Sequence, residues 1–151
     1  MTVQFKNILC PVDFTSASKA ALTLASSLAR DSHAMLHIVF VQEHAQELGN
    51  DVGRYHELWK TLPRATNVEF EHHLLHGHPA EEIKRFADEN NVDVIVLGTF
   101  GRRGLSRALL GSVAEEVMRD AKVPVLTVRP DTKNLEPILT QNVEDQNEQC
   151  D

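Results

Sequence analysis

The sequence predicts a doubly wound α/β domain, three layers deep, built on a parallel sheet. Three observations carry this reading. Five short apolar runs recur along the chain, and each is separated from the next by a segment of helical periodicity. The resulting order is βαβαβαβαβ, which implies right-handed crossovers and helices on both faces of the sheet. The run Val92–Leu97 (VDVIVL) is apolar enough for a central strand covered on both sides.

Phe5–Val12 (FKNILCPV) reads as a buried strand, with Thr15 or Ser16 as the N-cap of the helix that follows. Within 18–30, Ala21, Leu24, Ala25, Leu28 and Ala29 fall at helical spacing and form an apolar stripe. Ala34–Val41 (AMLHIVFV) is the second strand. Residues 42–63, interrupted by Gly49 and Gly53, read as a loop and then a helix around Tyr55, Leu58, Trp59 and Leu62, closed by Pro63. Val68–His76 (VEFEHHLLH) alternates in part and suits a strand exposed on one face, at an edge. Gly77-His78-Pro79 is a turn into a helix running to about Asn90, because proline fits the first helical position and acids fit the positive end of the dipole. Helical periodicity returns over 106–121, and Val123–Val128 (VPVLTV) is the last strand. One domain over 1–130 is expected, followed by a flexible acidic tail over 131–151.

Composition narrows the function. A chain that is 42% hydrophobic and 25% charged, without an apolar run of about 18 residues, is expected to be soluble rather than membrane-bound. The N-terminal residues lack the pattern of a secretory signal, and Cys10 and Cys150 suit reduced thiols better than a disulfide, so a cytoplasmic location is expected. A net charge of −7 argues against general nucleic-acid binding. Most of that charge lies in the tail, where six acids stand against Lys133. Residues 98–112 run the other way, with Arg102, Arg103 and Arg107 and no acid.

That basic stretch, Gly98-Thr-Phe-Gly101-Arg-Arg-Gly104-Leu-Ser-Arg-Ala-Leu-Leu-Gly111-Ser112, begins where the most apolar strand ends. Glycines permit the positive φ angles and close approach needed to aim several backbone N–H groups at a polyphosphate, and Ser112 adds a hydroxyl. The spacing is neither a Walker loop nor the GxGxxG dinucleotide fingerprint. The alternative is a strand-to-helix loop whose glycines serve turns and packing alone.

The pattern Gly98-x2-Gly101-x9-Gly111-Ser112 resembles the nucleotide-binding motif of the universal stress protein family, in its ATP-binding branch. Further matches are Ile8-Leu-Cys-Pro11-Val-Asp13-Phe-Thr15, Gly77-His-Pro79-Ala80, Leu110-Gly-Ser-Val-Ala114 and Val123-Pro-Val-Leu-Thr-Val-Arg129, together spanning about residues 3–130. The resemblance implies a five-stranded parallel sheet of order 3-2-1-4-5. It also implies bound ATP, ADP or AMP, with magnesium or manganese as a possible companion. By the same resemblance Pro11, Val12, Val41 and Leu97 wall the adenine, and Asp13 bonds ribose hydroxyls or helps hold a metal. Gly98, Gly101, Gly111, Ser112 and Val113 then meet ribose and phosphates. Phe100 stands where the family often has histidine, which removes one polar contact to phosphate, and Arg102 and Arg103 are candidates to supply the charge. For Asp13 the competing reading is a turn carboxylate at the start of a helix.

The resemblance also implies a homodimer through 123–129, an apolar strand hazardous as a bare edge. A nucleotide-responsive regulatory dimer, read by an unidentified protein partner, is therefore the expected function. A slow ATPase or nucleotide-transferring enzyme, and a dimeric interaction module without nucleotide, are the alternatives. No catalytic residue is assigned, since no Ser-His-Asp, HExxH or paired-cysteine spacing appears. The histidines at 72, 73, 76 and 78 do not predict a metal site: on a strand His72 and His76 share a face but lie about 13 Å apart, and His73 points the other way.

Overall fold

The computed structural model describes residues 3–43, 51–99 and 111–130. Its elements in chain order are β1 (Asn7–Pro11), α1 (Ser16–Ser32), β2 (Met35–Gln42), α2 (Asp51–Lys60), β3 (Glu69–His76), α3 (Pro79–Glu89), β4 (Val94–Gly98), α4 (Ser112–Asp120) and β5 (Val125–Val128). The strands form one sheet, β3-β2-β1-β4-β5, and every neighbouring pair is parallel. This is the architecture and strand order the sequence led us to expect.

Local chemistry accounts for the elements. Thr15 caps α1, its hydroxyl oxygen accepting from Ser18 N–H at 3.3 Å, and the helix stops at His33, which sits in the left-handed region at φ 54°. Pro79 occupies the first turn of α3, with Glu81 and Glu82 at its positive end. Val94–Leu97 of β4 are all buried, as a central strand requires.

Two apolar clusters lie on the two faces of the sheet. One joins Ile8, Cys10, Leu36 and Ile38 to Ala21, Leu22 and Ala25 of α1 and Leu58 of α2. The other joins Leu9, Val39, Ile95 and Leu97 to Ile83 and Phe86 of α3 and Ala114 and Val117 of α4. Side chains alternate across each strand, so Leu9 and Cys10 serve opposite layers. Cys10 is fully buried, and desolvation pushes its thiol far above the ordinary cysteine range. No helix among the described residues is long and apolar enough to cross a membrane.

The sequence reading needs correction around the second helix. Helix α2 begins at Asp51 and runs through Gly53, instead of starting near Tyr55 and continuing to Leu62. A Cβ at Gly53 would meet nothing within 4 Å, so this glycine costs only its backbone entropy, about 1 kcal/mol relative to alanine. Of the four apolar positions only Leu58 is buried, whereas Tyr55, Trp59 and Leu62 are exposed. The first part of the helix expected over 106–121 lies outside the described residues, and the described part is α4.

Candidate functional site

Strand order reverses between β1 and β4, which are neighbours although the chain visits β2 and β3 between them. In open parallel sheets the crevice beyond the carboxyl ends at such a point is the ligand site. Pro11 closes β1 and Gly98 closes β4. Val12 N–H donates to Val39 O at 2.8 Å, and Thr99 N–H donates to Val128 O at 2.9 Å, so both strand ends are held as the chain leaves the sheet.

The turn between β1 and α1 is tightly bonded. Asp13 N–H donates to Ser18 Oγ at 3.0 Å, while Asp13 Oδ1 accepts from both the N–H and the hydroxyl of Thr15. The turn carboxylate expected as the competing reading is thus present, and it occupies one oxygen of the two. Phe14 lies at φ 65°, a conformation unfavourable for a bulky side chain, and its ring stacks on Phe40 at 5.1 Å. The stacking holds the turn that presents Asp13.

Gly98 has a packing role the sequence did not reveal. A Cβ there would stand 2.5 Å from the carbonyl carbon of Ala17 and 2.8 Å from Ser18 N. Its missing side chain lets the first turn of α1 lie directly on the end of β4. Across the crevice, Gly111 is the N-cap of α4 at φ 83°, a region that favours glycine. The amides of the first turn, Ser112 to Ala114, have no carbonyl within their own helix to bond, and Glu115 N–H is the first to reach back, to Gly111 O at 3.0 Å.

Of the wall residues, Leu97 and Val41 pack in one apolar cluster with Val113 and Ala114, the cluster under α3 and α4. Val12 packs in the other, against α1. Pro11 is buried, and Asp13 and Ser112 are exposed. Phe100, Gly101 and Arg102, with Arg103, lie outside the described residues. Two neighbours were not foreseen. Gln42 ends β2 with a buried Oε1 that has no hydrogen-bond partner among the described residues. His78 Nε2 meets Glu116 Oε2 at 2.8 Å, which ties α3 to α4 and raises the imidazole pKa.

The histidines of β3 divide between the faces as the alternation predicts. His72 Nε2–H donates to Thr61 O at 2.6 Å beside the Trp59 ring, whereas His73 points to the opposite layer and meets His37. His37 was not among the histidines weighed from the sequence, because its proximity to His73 depends on the register between two strands.

Comparison with known proteins agrees with this architecture. The sequence model described as the Universal stress protein family matches residues 4–129. A universal stress protein of Methanocaldococcus jannaschii is 32% identical over 151 aligned positions, covering 85% of each chain. The universal stress protein YxiE of Bacillus subtilis is 34% identical, covering 83% of this chain and 99% of its own. Among solved structures, a universal stress protein in complex with cAMP superposes with a TM-score of 0.71 at 27% identity, covering 85% of this chain and 100% of that one. With the order 3-2-1-4-5 observed and the match running from before β1 to the end of β5, the chain belongs to the universal stress protein family.

Proposed function

We propose that this protein binds an adenine nucleotide of the ATP, ADP or AMP class in the crevice between β1 and β4, and that occupancy regulates a partner protein through a homodimer in the cytoplasm. The observation that carries the reading is Gly111 at φ 83°, which opens α4 so that the amides of Ser112 and Val113 stand at the positive end of a helix beside the carboxyl end of the sheet. The family member solved with cAMP supports the same ligand class.

In this arrangement Val41, Leu97 and Pro11 contribute apolar surface to the base. The oxygen of Asp13 not engaged by Thr15 serves ribose hydroxyls or a metal. Among the described residues Asp13 belongs to no cluster of three or more His, Cys, Asp or Glu side chains able to hold a metal ion. A magnesium or manganese ion would therefore owe most of its oxygen ligands to the polyphosphate and to water, with Asp13 as the protein's share. Gly101, Arg102 and Phe100 belong to the proposed site through the sequence motif alone.

Calorimetric titration with ATP, ADP, AMP and cAMP, with and without magnesium, tests the proposal. We expect saturable binding to the wild-type chain and its loss in Gly111→Val, with stabilisation of about 2.7 kcal/mol at a hundred times the dissociation constant. No response to any of the four nucleotides rejects it. The dimer is proposed through 123–129, where β5 is a sheet edge with Leu126 exposed. Sedimentation at tens of micromolar checks it, and a monomer rejects that part.

A further inference from the structure

The cluster around His37 lies on β2 and the edge strand β3. His37 and Glu71 are direct partners in the parallel β2–β3 register, and His73 is two residues further along β3, so all three side chains share one face. His37 Nδ1 stands 3.1 Å from His73 Nε2, His73 Nε2 stands 3.4 Å from Glu71 Oε2, and His37 Nδ1 stands 3.9 Å from Glu71 Oε2. The cluster shares no residue with the nucleotide crevice: His37 is four residues before Val41, about 13 Å along β2, and His73, level with Val39, stands on edge strand β3, two strands from β1.

We propose that His37 Nδ1, His73 Nε2 and one carboxylate oxygen of Glu71 bind a divalent cation of the zinc class. Tetrahedral zinc with ligands at about 2.0–2.1 Å places neighbouring ligand atoms about 3.3 Å apart. The three observed separations bracket that value, so the ion fits with small rotations of Glu71, whose side chain is 55% exposed and offers the way in.

The surroundings orient the donors. His37 Nε2–H donates to Asn7 Oδ1 at 3.1 Å, which leaves the lone pair on Nδ1, the atom that faces His73 and Glu71. An imidazole whose second nitrogen is fixed by an oxygen acceptor is the usual form of a metal-ligating histidine. Phe86 of α3 packs on both rings, at 5.4 Å from His37 and 4.6 Å from His73, and holds their planes. Burial and the neighbouring imidazole keep His37 neutral at pH 7, and burial does the same for His73 despite the opposing pull of Glu71.

Without metal, His73 Nε2–H donates to His37 Nδ1. When the cation binds, His73 changes to its other tautomer and no proton need leave. Two imidazoles and one carboxylate suit zinc, cobalt or nickel better than magnesium or calcium, and a water takes the fourth position. The ion then links edge strand β3 to β2.

The test uses the full chain stripped with a chelator. Equilibrium dialysis against zinc should load one equivalent, and cobalt should give the visible absorption of a four-coordinate site that zinc then displaces. His73→Ala and Glu71→Gln should each weaken binding at least about tenfold, and Asn7→Ala about 10–100-fold through loss of orientation. Both His73 and Glu71 retain solvent exposure, so these variants do not depend on rebuilding the buried His37 position. His72→Ala and His76→Ala, on the same strand but outside the cluster, should bind as the wild type does. Absence of stoichiometric zinc at tens of micromolar, or binding that survives His73→Ala unchanged, overturns the proposal. Nucleotide titrations are independent of either result.

Discussion

The Cβ that Gly98 lacks would stand 2.5 Å from the carbonyl carbon of Ala17. Both groups are backbone or directly attached to it, so neither can rotate away as a side-chain tip would. Gly98→Ala must push α1 off the end of β4, and overpacking of this kind costs about 1–3 kcal/mol. We expect a lower urea midpoint with an unchanged slope, and weaker nucleotide binding as a consequence of the displaced turn at Asp13. Wild-type stability in this variant would mean that α1 and β4 are less closely apposed than the structure places them.

Gly111→Ala tests conformation with the smallest side chain. At φ 83° any side chain is strained, by about 1–3 kcal/mol. Circular dichroism during thermal melting should show a lower Tm, and calorimetry should show weaker ATP binding than in an alanine variant of exposed Gly53, where a Cβ meets nothing.

Asp13 has separable roles. Asp13→Ala removes the acceptor for the Thr15 N–H and hydroxyl and should cost about 1 kcal/mol, the usual worth of such a helix-start bond. Asp13→Asn keeps an oxygen for Thr15 while discarding the charge. Stability should therefore survive in Asp13→Asn, and the magnesium-dependent part of ATP affinity should fall. Equal affinity with and without magnesium in the wild type would remove the metal from the account.

The histidine pair sets a pH dependence. Burial holds the pKa values of His37 and His73 below the ordinary imidazole value, so between those values and about 6.5 the unfolded chain binds more protons than the folded one. Stability should fall as pH drops below about 6.5 and level once the folded rings also protonate. His78 acts in the opposite sense, because Glu116 raises its pKa: that contribution is present at low pH and disappears as pH rises through the folded value. It is half-exposed and screened by solvent, so the His37–His73 pair should dominate. Melting temperatures of the metal-free protein between pH 7 and pH 5 check this, and His73→Ala should flatten the curve.

Much of the fold was legible because it rests on local or periodic signals. The apolar run ending at Leu97, the Thr15 cap and the proline after His78 each act over a few residues. The strand order came through family resemblance, since alternation alone specifies parallel strands without ordering them. What escaped was set by distance across the fold. Gly98 looked like a phosphate-loop glycine, yet the described contact is with Ala17, 81 positions earlier. His37 meets Glu71 through strand register, which no spacing within either strand displays. At α2 the exposed Tyr55, Trp59 and Leu62 imitate a core stripe.

Sealed on β1 in the apolar cluster beneath α1, Cys10 has a consequence for how this protein meets oxidants. A protonated thiol without solvent contact is a poor nucleophile, so peroxide and disulfide reagents reach it only after the sheet opens. The folded chain must place any redox response somewhere other than this cysteine. Its labelling by a thiol reagent becomes a clock for unfolding, one that should slow when nucleotide or zinc holds the native state together.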